Sequence, residues 1–162
     1  MKAIIFSLMF LGLLTGLKGQ GEFSIGLSPT YSSGDGIGVG LQLEKLLTNK
    51  DGIKLSFVVS NRMKKVKLGY QRILAKSKRF TLLSGLDLGY LHSDYTRFGR
   101  GTYKRLSLSL PIDIRFNLSQ RFSINMGLNF HLKELYDHST VAPNYKNYYD
   151  IEDIRIGGFY KF

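Results

Sequence analysis

The chain has no cysteine, no tryptophan and only 3 prolines in 162 residues. Without cysteine there is no disulfide scaffold, no thiolate metal site, no cysteine nucleophile and no cysteine to carry a lipid anchor. The 3 histidines give a metal site little support, and no cofactor of any kind is expected. Acidic residues are few: 23 Lys and Arg against 12 Asp and Glu leave a formal charge of +11. Helical periodicity is absent beyond the first 20 residues, and the longest apolar run falls short of the roughly 20 residues that a membrane-spanning helix needs.

That apolar run opens the chain. "MKAIIFSLMFLGLLTGLKGQ" has a basic second residue, an apolar stretch from Ala3 to about Leu14 and a small-residue region before polar sequence begins. The layout is that of a cleavable secretory signal peptide over residues 1–20, leaving a domain over 21–162. Loss of Lys2 and Lys18 would lower the charge to about +9. An exported basic chain meets acidic lipid head groups and phosphorylated glycolipid before nucleic acid, which is not expected as a partner.

What remains alternates with a period of two. "EFSIGLSPTY" sets Phe23, Ile25, Leu27 and Tyr31 against Ser24, Gly26, Ser28 and Thr30; "IGVGLQLE" and "IKLSFVVS" repeat the pattern. "KVKLGYQR" and "FTLLSGLDLGYL" follow, the second less cleanly. "RLSLSLPIDIRFNL" and "FSINMGLNFHL" alternate throughout, and "IEDIRIGGFYKF" carries the pattern to Phe162. Side chains of a strand point to opposite faces in turn, so each segment offers one oily and one polar face. This makes eight strands and seven connections. The first, third, fifth and seventh connections share one end, and both long ones, residues 92–104 and 133–149, fall in that set. Short turns at one end and long loops at the other are the asymmetry of an outer-membrane barrel.

The polar faces decide what the oily ones meet. Solvent-facing strand surfaces would carry long charged side chains, yet these are mostly Ser, Gly, Thr and Asn, as in the crowded interior of a narrow barrel. The oily faces are then assigned to lipid, where a sheet survives only by closing on itself. Tyr and Phe have to form any interfacial girdle in place of tryptophan. Glu44, Asp87, Asp113, Arg115 and Arg155 fall on the polar face and are expected to form a structural charge network in the lumen.

The terminal stretch Arg155-x-Gly157-x-x-Tyr160-x-Phe162 resembles the C-terminal signal by which outer-membrane barrels engage the barrel assembly machinery. The mature chain as a whole resembles the small eight-stranded outer-membrane barrels of Gram-negative bacteria, the broad class of OmpA-like and OmpX-like proteins. The resemblance implies an all-β, eight-stranded antiparallel up-and-down transmembrane barrel in the outer membrane, with the assembly machinery as a partner during biogenesis.

Candidate functional groups have plainer readings beside them. In "GDGIGVG" the glycines follow strand parity and no P-loop lysine follows, so small residues on an inner wall account for them. Arg62, Lys64, Lys65, Arg97, Arg100, Lys104 and Arg105 cluster near external turns; they suit glycolipid phosphates, or form a solvated charge cluster. Asp137, His138 and Ser139 are direct neighbours, an arrangement poorly placed for a catalytic triad. His131 falls on the lumen side. The expectation is a non-enzymatic outer-membrane protein with a structural or surface-interaction role, residues 92–104 and 133–149 being the interaction sites. The alternatives are a lipid A-modifying enzyme, such as an acyl hydrolase, and a secreted soluble lipid-binding barrel.

Overall fold

A computed structural model describes residues 22–32, 36–96, 99–139 and 151–162. The expected signal peptide therefore lies outside the described residues, as do Arg97 and most of the last connection. Eight strands follow one another in order: β1 (Phe23–Ser32), β2 (Gly36–Leu46), β3 (Asp51–Val59), β4 (Met63–Lys76), β5 (Phe80–Thr96), β6 (Gly99–Asn117), β7 (Phe122–Ser139) and β8 (Ile151–Lys161). Each pairs antiparallel with the next, and β8 pairs with β1 to close a barrel.

Alternation in the sequence becomes alternation between lumen and exterior. On β4, Met63, Lys65, Lys67, Gly69, Gln71 and Ile73 are buried, while Lys64, Val66, Leu68, Tyr70, Arg72 and Leu74 are exposed. An apolar band runs around the exterior in this way: Leu27, Val39, Leu68, Leu86, Ile114, Met126 and Ile156 stand exposed, whereas Ser, Thr, Asn, Gln and charged side chains fill the inside. A soluble barrel would need the reverse arrangement. Aromatic side chains gather at the end where β1 begins and β8 finishes, where Phe80 opposes Phe116 and Phe122 opposes Tyr160. Tyr31, Tyr90 and Tyr136 are exposed toward the other end. Amphipathic rings at both edges of an apolar band are membrane-interface anchors, here without tryptophan.

The turns share one device. Ser60, Ser77 and Ser119 each open a Ser-x-Arg-apolar sequence, and each hydroxyl accepts hydrogen bonds from the backbone N–H groups two and three residues on. Thr48 does the same for Lys50 and Asp51. These hydroxyls satisfy the donors that a tight reversal leaves without ladder partners. At the start of β2, Gly36 has a φ of 88°, a conformation that a side chain would strain.

Strand length corrects the expectation of long loops. β5, β6 and β7 run 17, 19 and 18 residues, against about 9–11 needed to cross hydrocarbon. Residues 92–96 and 99–104 are a strand hairpin rather than a loop, and residues 133–139 continue β7. The three strands project beyond their neighbours at the end away from the termini. Strand continuity there comes from paired backbone: Lys104 opposes both His92 and His138.

Candidate functional site

The lumen is filled by three groups of charges stacked along the barrel. Nearest the projecting strands, Lys65 and Lys67 of β4 meet Glu152 and Asp153 of β8; Lys65 Nζ lies 2.7 Å from Asp153 and Lys67 Nζ 3.0 Å from Glu152. Arg105 joins from β6, 2.9 Å from Glu152. In the middle, Arg155 donates to both oxygens of Asp113, at 2.8 and 2.7 Å, and Asn125 donates at 3.1 Å. Lys54 lies between Asp87, at 3.0 Å, and Asp113, at 3.9 Å. Toward the termini, Arg115 pairs with Glu44, which also accepts from Gln42 at 2.6 Å. The Arg115 guanidinium lies 4.4 Å from the ring centre of Phe159.

Glycines make room for this column. A Cβ at Gly69 would strike Asp87 and Lys54, and one at Gly127 would strike Asp113 and Arg155. The wall is thinnest where the ion pairs are thickest. Six cations (Lys54, Lys65, Lys67, Arg105, Arg115, Arg155) face five carboxylates (Glu44, Asp87, Asp113, Glu152, Asp153), nearly balanced. Among the described residues the lumen charges therefore nearly cancel. Above the column, toward the projecting strands, Val58, Met63 and Leu91 form a small apolar cluster with Tyr103 against it.

All five lumen charges read from the sequence, Glu44, Asp87, Asp113, Arg115 and Arg155, are buried here, distributed between the middle and lower groups. The network expected from the sequence omits the upper group, and Lys54 of the middle one. Lys54, Lys65, Lys67 and Asp153 sit at polar-face positions by simple parity, so the signal was available. Lys65 was placed instead among the surface contacts; its side chain is buried against Asp153, because its own strand parity turns it inward. Glu152 could not be found by parity: the β7–β8 register shifts between Asn129 and Phe130, and the extra residue lets Glu152 and Asp153 both face inward. Arg105 likewise turns toward the lumen mouth. Of the remaining surface candidates, Arg62 and Lys64 are exposed, Lys104 lies on the exterior, and Arg100 opposes Tyr95 on the projecting hairpin.

The four residues of the terminal stretch have structural tasks of their own. Arg155 is the main partner of Asp113. Gly157 lies against β1, where a Cβ would collide with the carbonyl oxygen of Leu27 and with Ser28. Tyr160 packs edge-on against Phe162, with ring centres 5.0 Å apart, and the Phe162 N–H donates to the Phe23 carbonyl at 3.0 Å. The β1–β8 ladder is interrupted only around Pro29, which has no N–H to give.

No protein-family model matches the chain, and no curated protein matches it. Solved structures do. A de novo designed transmembrane β-barrel superposes with a TM-score of 0.62 at 10% identity, covering 90% of this chain and 98% of the design. Ail, the attachment invasion locus protein of Yersinia pestis, solved with the heparin analogue sucrose octasulfate, gives 0.53 at 16% identity over 89% of this chain and all of Ail. A major outer membrane protein from Thermus thermophilus gives 0.53 at 14% identity over 89% of this chain and all of that one. The fold is that of a small outer-membrane β-barrel. In such a barrel the apolar exterior is the lipid-facing wall, the end where β1 begins and β8 finishes is periplasmic, and the projecting strands are external.

Asp137, His138 and Ser139 lie on this external part of β7. Their backbones oppose Arg105, Lys104 and Tyr103 in turn. Asp137 and His138 point to opposite sides of the sheet, since neighbours on a strand alternate. His131, opposite Ser109, is on the lumen side. Among the described residues no group of three or more His, Asp or Glu is placed to hold a metal ion.

Proposed function

We propose that this protein is a non-enzymatic, non-conducting barrel of the outer membrane of a Gram-negative bacterium, acting as a structural or surface-interaction protein through its external strands. The observation that carries this reading is the lumen: a column of paired charges, held in place by six cations and five carboxylates, occupies the space a solute would need. Opening a path would separate buried ion pairs, at a cost of about 3–5 kcal/mol for each pair broken. The projecting part of β5, β6 and β7 is where a partner would be met, which moves the interaction surface from loops to a paired sheet. A sheet presents side chains at set spacing and loses little entropy on binding.

The alternative of a lipid-modifying hydrolase would need the acid, base and nucleophile to converge. The alternation of Asp137 and His138 across the sheet works against that geometry. The alternative of a soluble lipid carrier would need an apolar interior. Engagement of the barrel assembly machinery by Arg155, Gly157, Tyr160 and Phe162 remains part of the proposal, additional to their structural tasks.

The test is conductance. Purified barrel reconstituted in planar bilayers should show no stepwise openings at moderate voltage. Regular, ion-selective steps would make the lumen a pathway and overturn the reading.

A further inference from the structure

We infer that the external face of β4–β7 carries a binding site for the phosphorylated glycolipid of the outer leaflet, built on a cross-strand row of basic side chains. Lys64 of β4 is directly opposite His92 of β5, His92 is opposite Lys104 of β6, and Lys104 is opposite His138 of β7. Residues paired across a ladder share a face. On β4 and β5 that face is the outer one, because Met63, Lys65, Leu91 and Ser93 beside them are buried. Elsewhere this barrel sets opposite charges against each other: Glu44 opposes Lys54, Asp51 opposes Arg72, and Asp137 opposes Arg105. The external row has no acid in it. Asp94, beside the row on β5, accepts from His92 Nε2 at 2.9 Å and holds that ring at the rim.

The row sits at a chemical boundary. One step down the same four strands, Val66, Tyr90, Leu106 and Tyr136 oppose one another in turn, an apolar and aromatic row that belongs to the membrane interface. A strand tilt of about 40° lifts a cross-strand row by about 3 Å per strand, so the basic row climbs about 9 Å from Lys64 to His138. Lys133 adds a fifth group. It opposes Leu108, and a register shift along β7 near Leu132 brings it to the outer face. Its position four β6 residues below the row is a drop of about 10 Å, which cancels the climb. Lys64 and Lys133 therefore stand at about the same height, on either side of Tyr90 and Leu106, with His92 and Lys104 above.

This is a cradle whose floor takes acyl chain and sugar ring and whose rim takes phosphate at more than one point. Its sideways aim, above an apolar band, favours a lipid headgroup over a soluble polyanion, and its place at the end away from the termini favours the outer leaflet. Lysine heads can reach up from apolar surface to the headgroup layer. The site deepens the proposed surface role and rests on the barrel lying in the outer membrane.

The experiment is native mass spectrometry of the detergent-solubilised barrel with three probes: a purified bis-phosphorylated disaccharide glycolipid, the same lipid after phosphatase treatment, and phosphatidylglycerol. The wild-type barrel should retain the phosphorylated glycolipid at least about tenfold more tightly than either other probe. Replacing Lys64, Lys104 and Lys133 together with Gln should lower that affinity roughly tenfold or more, while replacing all three with Arg should preserve it. Replacing Lys50, Lys76 and Lys78 at the periplasmic end with Gln should leave it unchanged. Heat-dependent gel migration establishes that each variant is folded. Undiminished binding by the folded triple Gln variant refutes the site, as does equal retention of phosphatidylglycerol. Binding of sucrose octasulfate that depends on the same lysines, without glycolipid binding, also refutes it and assigns the row to a soluble polyanion. If the barrel folds and inserts but binds no glycolipid, the site fails while the envelope role stands; if it does not insert into bilayers, both fail.

Discussion

Replacing Asp113 with Asn tests whether the charge column holds the barrel together. The substitution keeps the shape of the side chain and removes its charge. Asp113 accepts three hydrogen bonds from Arg155, at 3.2, 2.8 and 2.7 Å, and a fourth from Asn125, and it faces Lys54. Lys54 keeps Asp87 as a partner. Arg155 has no second carboxylate within ion-pair distance among the described residues, and it is buried. Leaving a buried charge without its counter-ion costs about 3–5 kcal/mol, which is the expected loss for Asp113→Asn. Removing the cation as well, in Asp113→Asn with Arg155→Gln, takes away the stranded charge. The double variant should then be about 1–3 kcal/mol more stable than the sum of the single losses predicts. Urea unfolding and refolding in lipid vesicles, followed by far-UV circular dichroism and by the fraction of the fast-migrating gel band, gives the free energies. Tryptophan fluorescence is not an option in a chain without tryptophan. Glu22→Gln at the exposed pair with Lys161 is the control and should cost under about 1 kcal/mol. A loss below about 1 kcal/mol for Asp113→Asn, or strict additivity in the double variant, would refute the reasoning by showing that water screens the lumen charges.

The exterior can be probed by depth. Leu108 lies opposite Lys133, toward the external edge, while Ile112 is near the middle of the outward run of β6; Ile112→Arg should cost about 2–4 kcal/mol and Leu108→Arg about 0–1 in the same vesicle assay. Equal costs would contradict the assigned membrane position. Gly157→Ala should prevent β8 from closing against Leu27 and Ser28, seen as loss of the heat-modifiable band, whereas Gly36→Asn, with open space around the Cβ and an amide residue suited to positive φ, should fold. Gly69→Ala should displace the Lys54–Asp87 pair and lower stability by more than the roughly 1 kcal/mol typical of a point substitution.

The barrel was legible because its two signals are strictly local. Leu106, Leu108, Leu110, Ile112, Ile114 and Phe116 alternate with small or polar partners, and no tertiary contact is needed to read a period of two. The identity of the inner residues decided which face was inside: Ser, Gly and Asn at the positions opposite the oily ones suit a narrow interior. The expectation of long loops failed for an equally physical reason. "HSDYTRFGRGTYK" looks like a loop by composition, yet opposed strands keep pairing as long as their backbones face each other, and Ser93 still opposes Tyr103. Once the residues of a hairpin leave the membrane, polarity ceases to distinguish strand from loop.

The site was legible only in part. Parity sets Lys54, Lys65 and Lys67 on the polar, inward face, but it does not say which carboxylates they meet. Glu152 and Lys133 were beyond its reach. Both depend on register shifts, at Asn129–Phe130 and along the outer half of β7, that move a residue to the other face without leaving a mark in composition.

The order of the residues by itself determined that this chain forms strands, how many, and which face of each meets lipid, since those follow from side chains two apart on one backbone. Only the tertiary structure decided which charge answers which, and which basic residues form the external row. Those are relations between strands far apart in sequence, set by the stagger with which the sheet closes.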